Sequence, residues 1–245
     1  MNLGHLIGQR LKRNQQRYRV LVVDMDPQAS LTAFSGLDPY KLDASIYDAL
    51  VNKSAPTIHS YRESYHIAPS TLQLSLADMQ LSTAVRREDR LKLVLKKVEA
   101  HYDFILIDCP PGLSLLSVMS MVAASRLVIP IQTEFKSVQA TINLLKTTYE
   151  IVQDGNPELK VAGVIPTMYN GQLKQARKAL DSINATFEKL KKNKTFKDAV
   201  VFQPVPRRTA IADAVANKLP LALYAPGHPA LESMNSIVDH MVGAS

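Results

Sequence analysis

The chain has 245 residues, 46% hydrophobic and 21% charged, ample for one large α/β domain with a core and short for two independent ones. No stretch approaches the roughly 18 consecutive apolar residues that a membrane span needs. The single cysteine, Cys109, excludes an internal disulfide framework and a multi-cysteine zinc site and fits a reducing cytoplasm.

Met1 to Val20 holds no acid, five Lys/Arg, and apolar Leu3, Leu6, Ile7 and Leu11 at helical spacing. It runs into an apolar strand without a Ser-rich spacer, so it reads as an internal helix over 2–12 packing on a sheet rather than an organellar presequence. Strand-length apolar runs follow at 19–23, 65–68, 104–107, 127–131, 161–165 and 200–202. Between them lie helical patterns at 45–51, 72–81, 88–101, 113–123, 138–152, 173–191, 210–217 and 229–242. Near-continuous Val/Ile/Leu strands alternating with helices are the pattern of βαβ units around a parallel sheet buried on both faces. The expected fold is therefore α/β: one domain over 1–245, a mostly parallel sheet with helices on both faces.

Two strands end in carboxylates: Val-Leu-Val-Val-Asp24-Met-Asp26-Pro27-Gln28 and Phe104-Ile-Leu-Ile-Asp108-Cys-Pro110-Pro111-Gly112. Ligands collect outside the carboxyl ends of parallel strands, so both clusters should face one crevice. An apolar strand ending in Asp has the form of a Walker B element, whose carboxylate can hold Mg²⁺ through water; the bland alternative is a helix cap. Gly112 lets the backbone approach a ligand, and the prolines stiffen that approach. For Asp24 and Asp26, a water-orienting role competes with a simple Asp-Pro turn. Cys109 has no paired His and reads as a buried structural cysteine.

The charge is localised. Ten Lys/Arg and three Asp/Glu between Gly171 and Arg208 account for the whole net +7. This points to a polyanion, duplex DNA above all, or to a solvated helix face. Trp is absent and aromatics are 6%, which disfavours stacking on single strands.

These segments resemble the ParA/MinD family of partition ATPases, ParA branch. Asp24-Met-Asp26-Pro27-Gln28, with Thr32 shortly after, is similar to the switch I segment. Tyr102 to Gly112 resembles Walker B and switch II. Leu127 to Phe135, Thr167-Met168-Tyr169-Asn170, and Val205-Pro206-Arg207 followed by Lys218-Leu-Pro220 resemble later family segments in the right order. The resemblance implies a P-loop NTPase-like fold, ATP and Mg²⁺ as cofactors, and hydrolysis with Asp26, supported by Asp24, orienting the water. Asp108 would hold Mg²⁺ through water, Pro111 and Gly112 would sense the γ-phosphate, and Thr167, Met168, Pro206 and Arg207 would lie near the adenine. It implies a homodimer that binds double-stranded DNA without sequence preference and a cargo-marking partner that stimulates hydrolysis, in the cytoplasm on a bacterial nucleoid. Lys174, Arg177, Lys178, Lys189, Lys191, Lys192 and Arg208 are the expected phosphate contacts. The stretch 233–245 has no Lys or Arg, unlike a membrane-targeting amphipathic end.

Family members open with a strand and a loop of the form Lys-Gly-Gly-x-Gly-Lys-Thr-Thr. No Gly-x-Gly-Lys-Thr pattern occurs in these 245 residues, and Met1-Asn2-Leu3 matches the helix that follows the loop. The expectation is an initiator upstream of Met1; a truncated copy or a paralogue acting without ATP are the alternatives. A sheet without that central strand should leave two strands each short of one neighbour. Three functions stay open: the partition ATPase, a non-catalytic DNA or partner adaptor on the same fold, and a metabolic amide-ligase or synthetase relative. A nitrogenase-iron-protein-like role fails for want of a second cysteine.

Overall fold

The computed structural model describes residues 1–243; nothing is described of Ala244 and Ser245, or of the side chains of residues 135–140 and 142. The chain divides into two compact units, residues 1–123 with 213–226, and 124–212 with 227–245.

In the first unit, α1 (Asn2–Gln9) leads to β1 (Val20–Asp24), α2 (Ser30–Phe34), α3 (Ile46–Asn52), β2 (His59–Tyr61) and β3 (Tyr65–Ala68). Then come α4 (Ala77–Gln80), α5 (Arg90–Leu95), β4 (Phe104–Asp108) and α6 (Leu115–Ala123). The sheet order is β2-β3-β1-β4. β1 pairs parallel with both β3 and β4, while β2 and β3 form an antiparallel hairpin. All five residues of β1 are buried, which is why its run of Val and Leu is unbroken. Leu21, Val23 and Met25 pack with Leu50, Leu74, Leu91 and Met119 in one core cluster.

α1 stops at Gln9 rather than Lys12, because Arg10 turns extended and opens a small hairpin in which Tyr18 N–H donates to the Arg10 carbonyl. The expected helix over 88–101 is α5 flanked by 3₁₀ turns, since from Lys97 on the N–H groups reach back only three residues. The 72–81 pattern likewise splits into a 3₁₀ turn and α4.

His5 lies buried in α1 with Nδ1 unpartnered. Burial, then the charge of Arg17, lowers its pKa. The unfolded chain therefore takes the proton first, so stability is complete above the ordinary histidine pKa and falls as pH drops through it. Urea unfolding should show stability declining from about pH 7 to pH 5.5, and His5→Gln should flatten that slope.

In the second unit, β5 (Arg126–Gln132), α7 (Phe135–Asp154), β6 (Lys160–Thr167), α8 (Lys174–Leu190), β7 (Val200–Val201) and α11 (Ala230–Gly243) surround a parallel sheet of order β5-β6-β7. Ile129, Val161, Val164, Ile183 and Phe187 form its core. Among the described residues, β4 and β5 each have a strand neighbour on one side only. β4 is only half-buried along its apolar run, in contrast to β1 and β6.

In the chain, α9 (Thr209–Ala216) and α10 (Leu221–Tyr224) follow β7. α9 ends in a Schellman motif: Lys218 N–H donates to Val215 O and Leu219 N–H to Ala214 O. Lys218 takes φ 54° there, a position that favours glycine. Its carbonyl accepts from Tyr61 Oη at 2.8 Å, a bond that glycine would keep. Lys218→Gly should raise the unfolding free energy by about 0.5–1 kcal/mol, read by urea denaturation.

Candidate functional site

The parallel pairing of β1 with β4 sets Asp24 in register with Asp108, so both carboxyl ends open on the same edge of the sheet. Past that edge, Met25 N–H still donates to Asp108 O at 2.8 Å, extending the pairing one residue into the loop.

Asp24 is fully buried. Its Oδ2 accepts from Thr32 N–H at 2.9 Å and Thr32 Oγ1 at 2.7 Å, and its Oδ1 from Asp26 N–H at 3.1 Å. Thr32 Oγ1 in turn accepts from Ser70 N–H at 2.9 Å. The network ties the end of β1, the start of α2 and the loop after β3 together. Burial raises the Asp24 pKa to about 6, against the opposing pull of the Thr32 hydrogen bonds. With three donors already on it, Asp24 is suited to hold the 25–32 loop in shape.

Asp26 is half-buried. Its Oδ1 accepts from Gln28 N–H at 2.9 Å and its carbonyl from Ala29 N–H at 2.9 Å, while among the described residues no hydrogen bond engages Oδ2. A compact Asx turn holds Asp26 through one carboxylate oxygen and leaves the other available to orient a water.

Asp108 stands at the exposed end of β4, and no side-chain hydrogen bond or salt bridge engages its carboxylate among the described residues. Partial burial of the carboxyl group pushes its pKa up; the Met1 ammonium opposes that rise and the Asp26 charge adds to it. Two carboxylates, Asp108 and Asp26, beside the positive Met1 ammonium make a site that favours positive charge, and a cation held through water fits it. No group of three or more His, Cys, Asp or Glu clusters as a direct metal cage among the described residues.

Gly112 has φ 92°, with open space where a Cβ would stand. Its carbonyl accepts from Ser117 Oγ at 2.8 Å, which fastens the Pro110-Pro111-Gly112 loop to α6. Pro111 and Gly112 are both exposed. Cys109 is exposed as well, which corrects the expectation of a buried structural thiol: it follows a strand with one open edge rather than a doubly covered one.

Thr167, Met168, Pro206 and Arg207 belong to the second unit. Tyr169 bridges Pro206, Tyr169 N–H donates to Val205 O, and Arg207 N–H donates to Tyr169 O. Thr167 thus ends β6 beside the 205–207 strand-like stretch. Met168 is 53% exposed with φ 54°, an unusual display of an apolar side chain. A cleft of about 400 Å³ is lined by Tyr169 to Gln172 and Pro206 to Arg208, in the size range of small-molecule pockets.

α8 buries Ala176, Ala179, Ile183 and Phe187. At about 100° per residue, Lys174, Arg177, Lys178 and Lys189 then share the opposite face, within an arc of about 120°. All four are exposed, as are Lys192, Arg207 and Arg208; Lys191 is exposed but pairs with Glu188 at 2.6 Å.

Sequence reasoning missed Ser70 and gave Thr32 no role. Ser70 follows the parallel strand β3, so the rule that sites gather at strand carboxyl ends could have found it.

The fold, with its carboxylate-ended parallel strands, is an α/β fold of the P-loop NTPase class. The model of an AAA domain family matches residues 7–161, and the chain belongs to the ParA/MinD-type partition ATPase family. It is similar to the sporulation initiation inhibitor protein Soj of Bacillus subtilis, with 31% identity over 85% of this chain and 80% of that one. The chromosome partitioning protein ParA of Myxococcus xanthus is 31% identical over 84% of this chain and 71% of its own. A solved structure of cobyrinic acid a,c-diamide synthase from Mycobacterium smegmatis, with bound ATP analogue and magnesium, superposes with TM-score 0.80. It is 26% identical and covers all of this chain and 89% of its own. Apo McdA from Cyanothece shares the fold at TM-score 0.82 and 22% identity, over 98% of this chain and 93% of that one. No helix of the structure is long and apolar enough to cross a membrane.

Proposed function

We propose that residues 1–245 form one ParA-like nucleotide-binding domain that positions a plasmid, chromosome or protein cargo through ATP-dependent dimerisation and DNA binding without sequence preference. The observation that carries this reading is the parallel β1–β4 pair. It brings the Asp26 and Asp108 carboxylates to one edge, with Asp24 and Thr32 fastening the 25–32 loop. Relatives whose names state chromosome partitioning support it. Magnesium, held through water by Asp108, would neutralise phosphate charge. Asp26 orients the attacking water, Asp24 positions Asp26, Gly112 sets the loop against the γ-phosphate, and the cleft beside Pro206 and Arg207 takes the base. The α8 face contacts DNA phosphates, and a cargo-marking protein stimulates turnover.

A second reading has one observation in its favour. Backbone N–H groups and a Lys of a Gly-x-Gly-Lys-Thr loop cradle phosphates in P-loop proteins, and that pattern does not occur in these residues. An adaptor would use the same basic face without nucleotide. The amide-synthase name attaches to a neighbour at 26% identity, and the basic α8 face has no use in such chemistry.

Duplex DNA binding by the purified chain, measured by anisotropy with and without Mg-ATP, separates the readings. Binding that requires Mg-ATP is the expected result. Equal binding without nucleotide transfers the function to the adaptor, and no binding at low salt removes both.

A further inference from the structure

The chain from Arg10 to Tyr18 is a short antiparallel hairpin in the first unit. Leu11 pairs with Arg17, Lys12 N–H donates to Gln16 O at 2.7 Å, and Gln15, at φ 63°, closes the turn with its N–H on Lys12 O. The tip is braced by Asn14, whose Oδ1 accepts from Gln16 N–H and whose Nδ2 donates to Gln16 Oε1.

The base is fastened to the body. Lys12 Nζ lies 2.7 Å from Asp103 Oδ2 and 5.8 Å from the Tyr18 ring centroid, and Tyr18 meets Phe104 edge-on at 5.3 Å. Arg19 shares Asp103. Arg13 and Arg17 are exposed, and among the described residues no hydrogen bond or ion pair engages either guanidinium. No acid occurs anywhere in the first 20 residues, and the ion pairs of Lys12 and Arg19 run to Asp103.

We propose that this hairpin is a second duplex-DNA contact, separate from α8, with Arg13 and Arg17 on phosphates and the Asn14–Gln16 tip facing a groove. Arginine forks match phosphate oxygens bidentately. A two-stranded ribbon has the width a DNA groove admits, and amide side chains bond both backbone and base edges. A hairpin already braced at base and tip loses little freedom on binding. A lipid surface fits less well, because the tip carries no apolar side chain to insert and the exposed Leu11 sits at the base. The inference shares with the proposed function the premise that DNA is the partner.

The test compares wild type, Arg13→Ala with Arg17→Ala, and Lys174→Ala with Arg177→Ala and Lys178→Ala in the full chain. Anisotropy of two duplexes of unrelated sequence is followed across salt. The hairpin variant should bind both about tenfold more weakly at about 0.1 M salt, its salt slope lowered by about 2, with an unchanged melting temperature. Arg13→Lys with Arg17→Lys should restore most of the slope. Wild-type affinity in the hairpin variant, with loss confined to the α8 variant, overturns the hairpin contact and leaves the DNA reading standing. A wild type that binds no duplex removes both. Loss of binding to phosphatidylglycerol vesicles with DNA binding intact overturns the proposal in favour of a membrane.

Discussion

Gly8→Ala is expected to cost about 3 kcal/mol of unfolding free energy, lowering the melting temperature by roughly 6–12 °C. A Cβ at Gly8 would overlap the carbonyl oxygen of Ser64, with the Ser64 carbonyl carbon only 2.9 Å away. That oxygen belongs to the backbone of the β2–β3 turn, so no rotamer change relieves the overlap. Either α1 lifts from the sheet or the hairpin shifts, and both uncover Ile7, which is fully buried. The helix-propensity gain of Ala over Gly, about 1 kcal/mol, offsets only part of this. Gly4 is the control. Its added Cβ would meet Val22 Cγ2 at 2.8 Å, a side-chain methyl rather than backbone, so Gly4→Ala should cost less than Gly8→Ala, about 1–2 kcal/mol. Equal stability of Gly8→Ala and wild type in urea would show that α1 is not seated on the β2–β3 turn.

Asp24→Ala should be comparably damaging, at about 3 kcal/mol, because it strands three donors at a fully buried site. Asp24→Asn keeps one carbonyl oxygen but sets an amide N–H₂ against existing donors, and should cost about 1–2 kcal/mol. A structural role for Asp24 makes a further demand. Amide exchange of residues 25–32 and of Ser70 should rise in Asp24→Ala, because Thr32 Oγ1 links the two loops. Asp26→Ala should leave that exchange nearly unchanged except at Gln28, the one N–H its side chain holds. Identical exchange in the two variants would contradict the division of roles between these carboxylates.

Much of this was legible in advance, for physical reasons that differ by element. β1, β4, β5 and β6 announce themselves because strands in a parallel sheet need apolar side chains on both faces. The basic face of α8 follows from a 3.6-residue period with small and apolar residues at 176, 179, 183 and 187. β2, His59-Ser-Tyr61, is three residues with one buried side chain, too short to carry a period. α2 escaped notice because five residues after an Asp-Pro turn show no repeat. At Gly8 the sequence offers a glycine in a helix, and only the fold supplies the carbonyl that requires it. The Asp24-x-Asp26 spacing suggested two carboxylates acting together. Their separate duties depend on Thr32 returning eight residues later, a contact no local pattern encodes. Cys109 was misread because sequence shows the apolar run before it and not the open edge of β4.

The claim on which the rest depends is that the β1–β4 edge is a magnesium–nucleotide site, and thermal unfolding of the full chain tests it directly. A ligand at ten times its Kd stabilises by about 1.4 kcal/mol, or roughly 3–6 °C for a chain of this size. Millimolar Mg-ATP should produce such a shift in wild type, EDTA should abolish it, and Asp108→Asn should not show it. A midpoint unmoved by Mg-ATP, or an Asp108→Asn variant stabilised as much as wild type, would contradict the assignment.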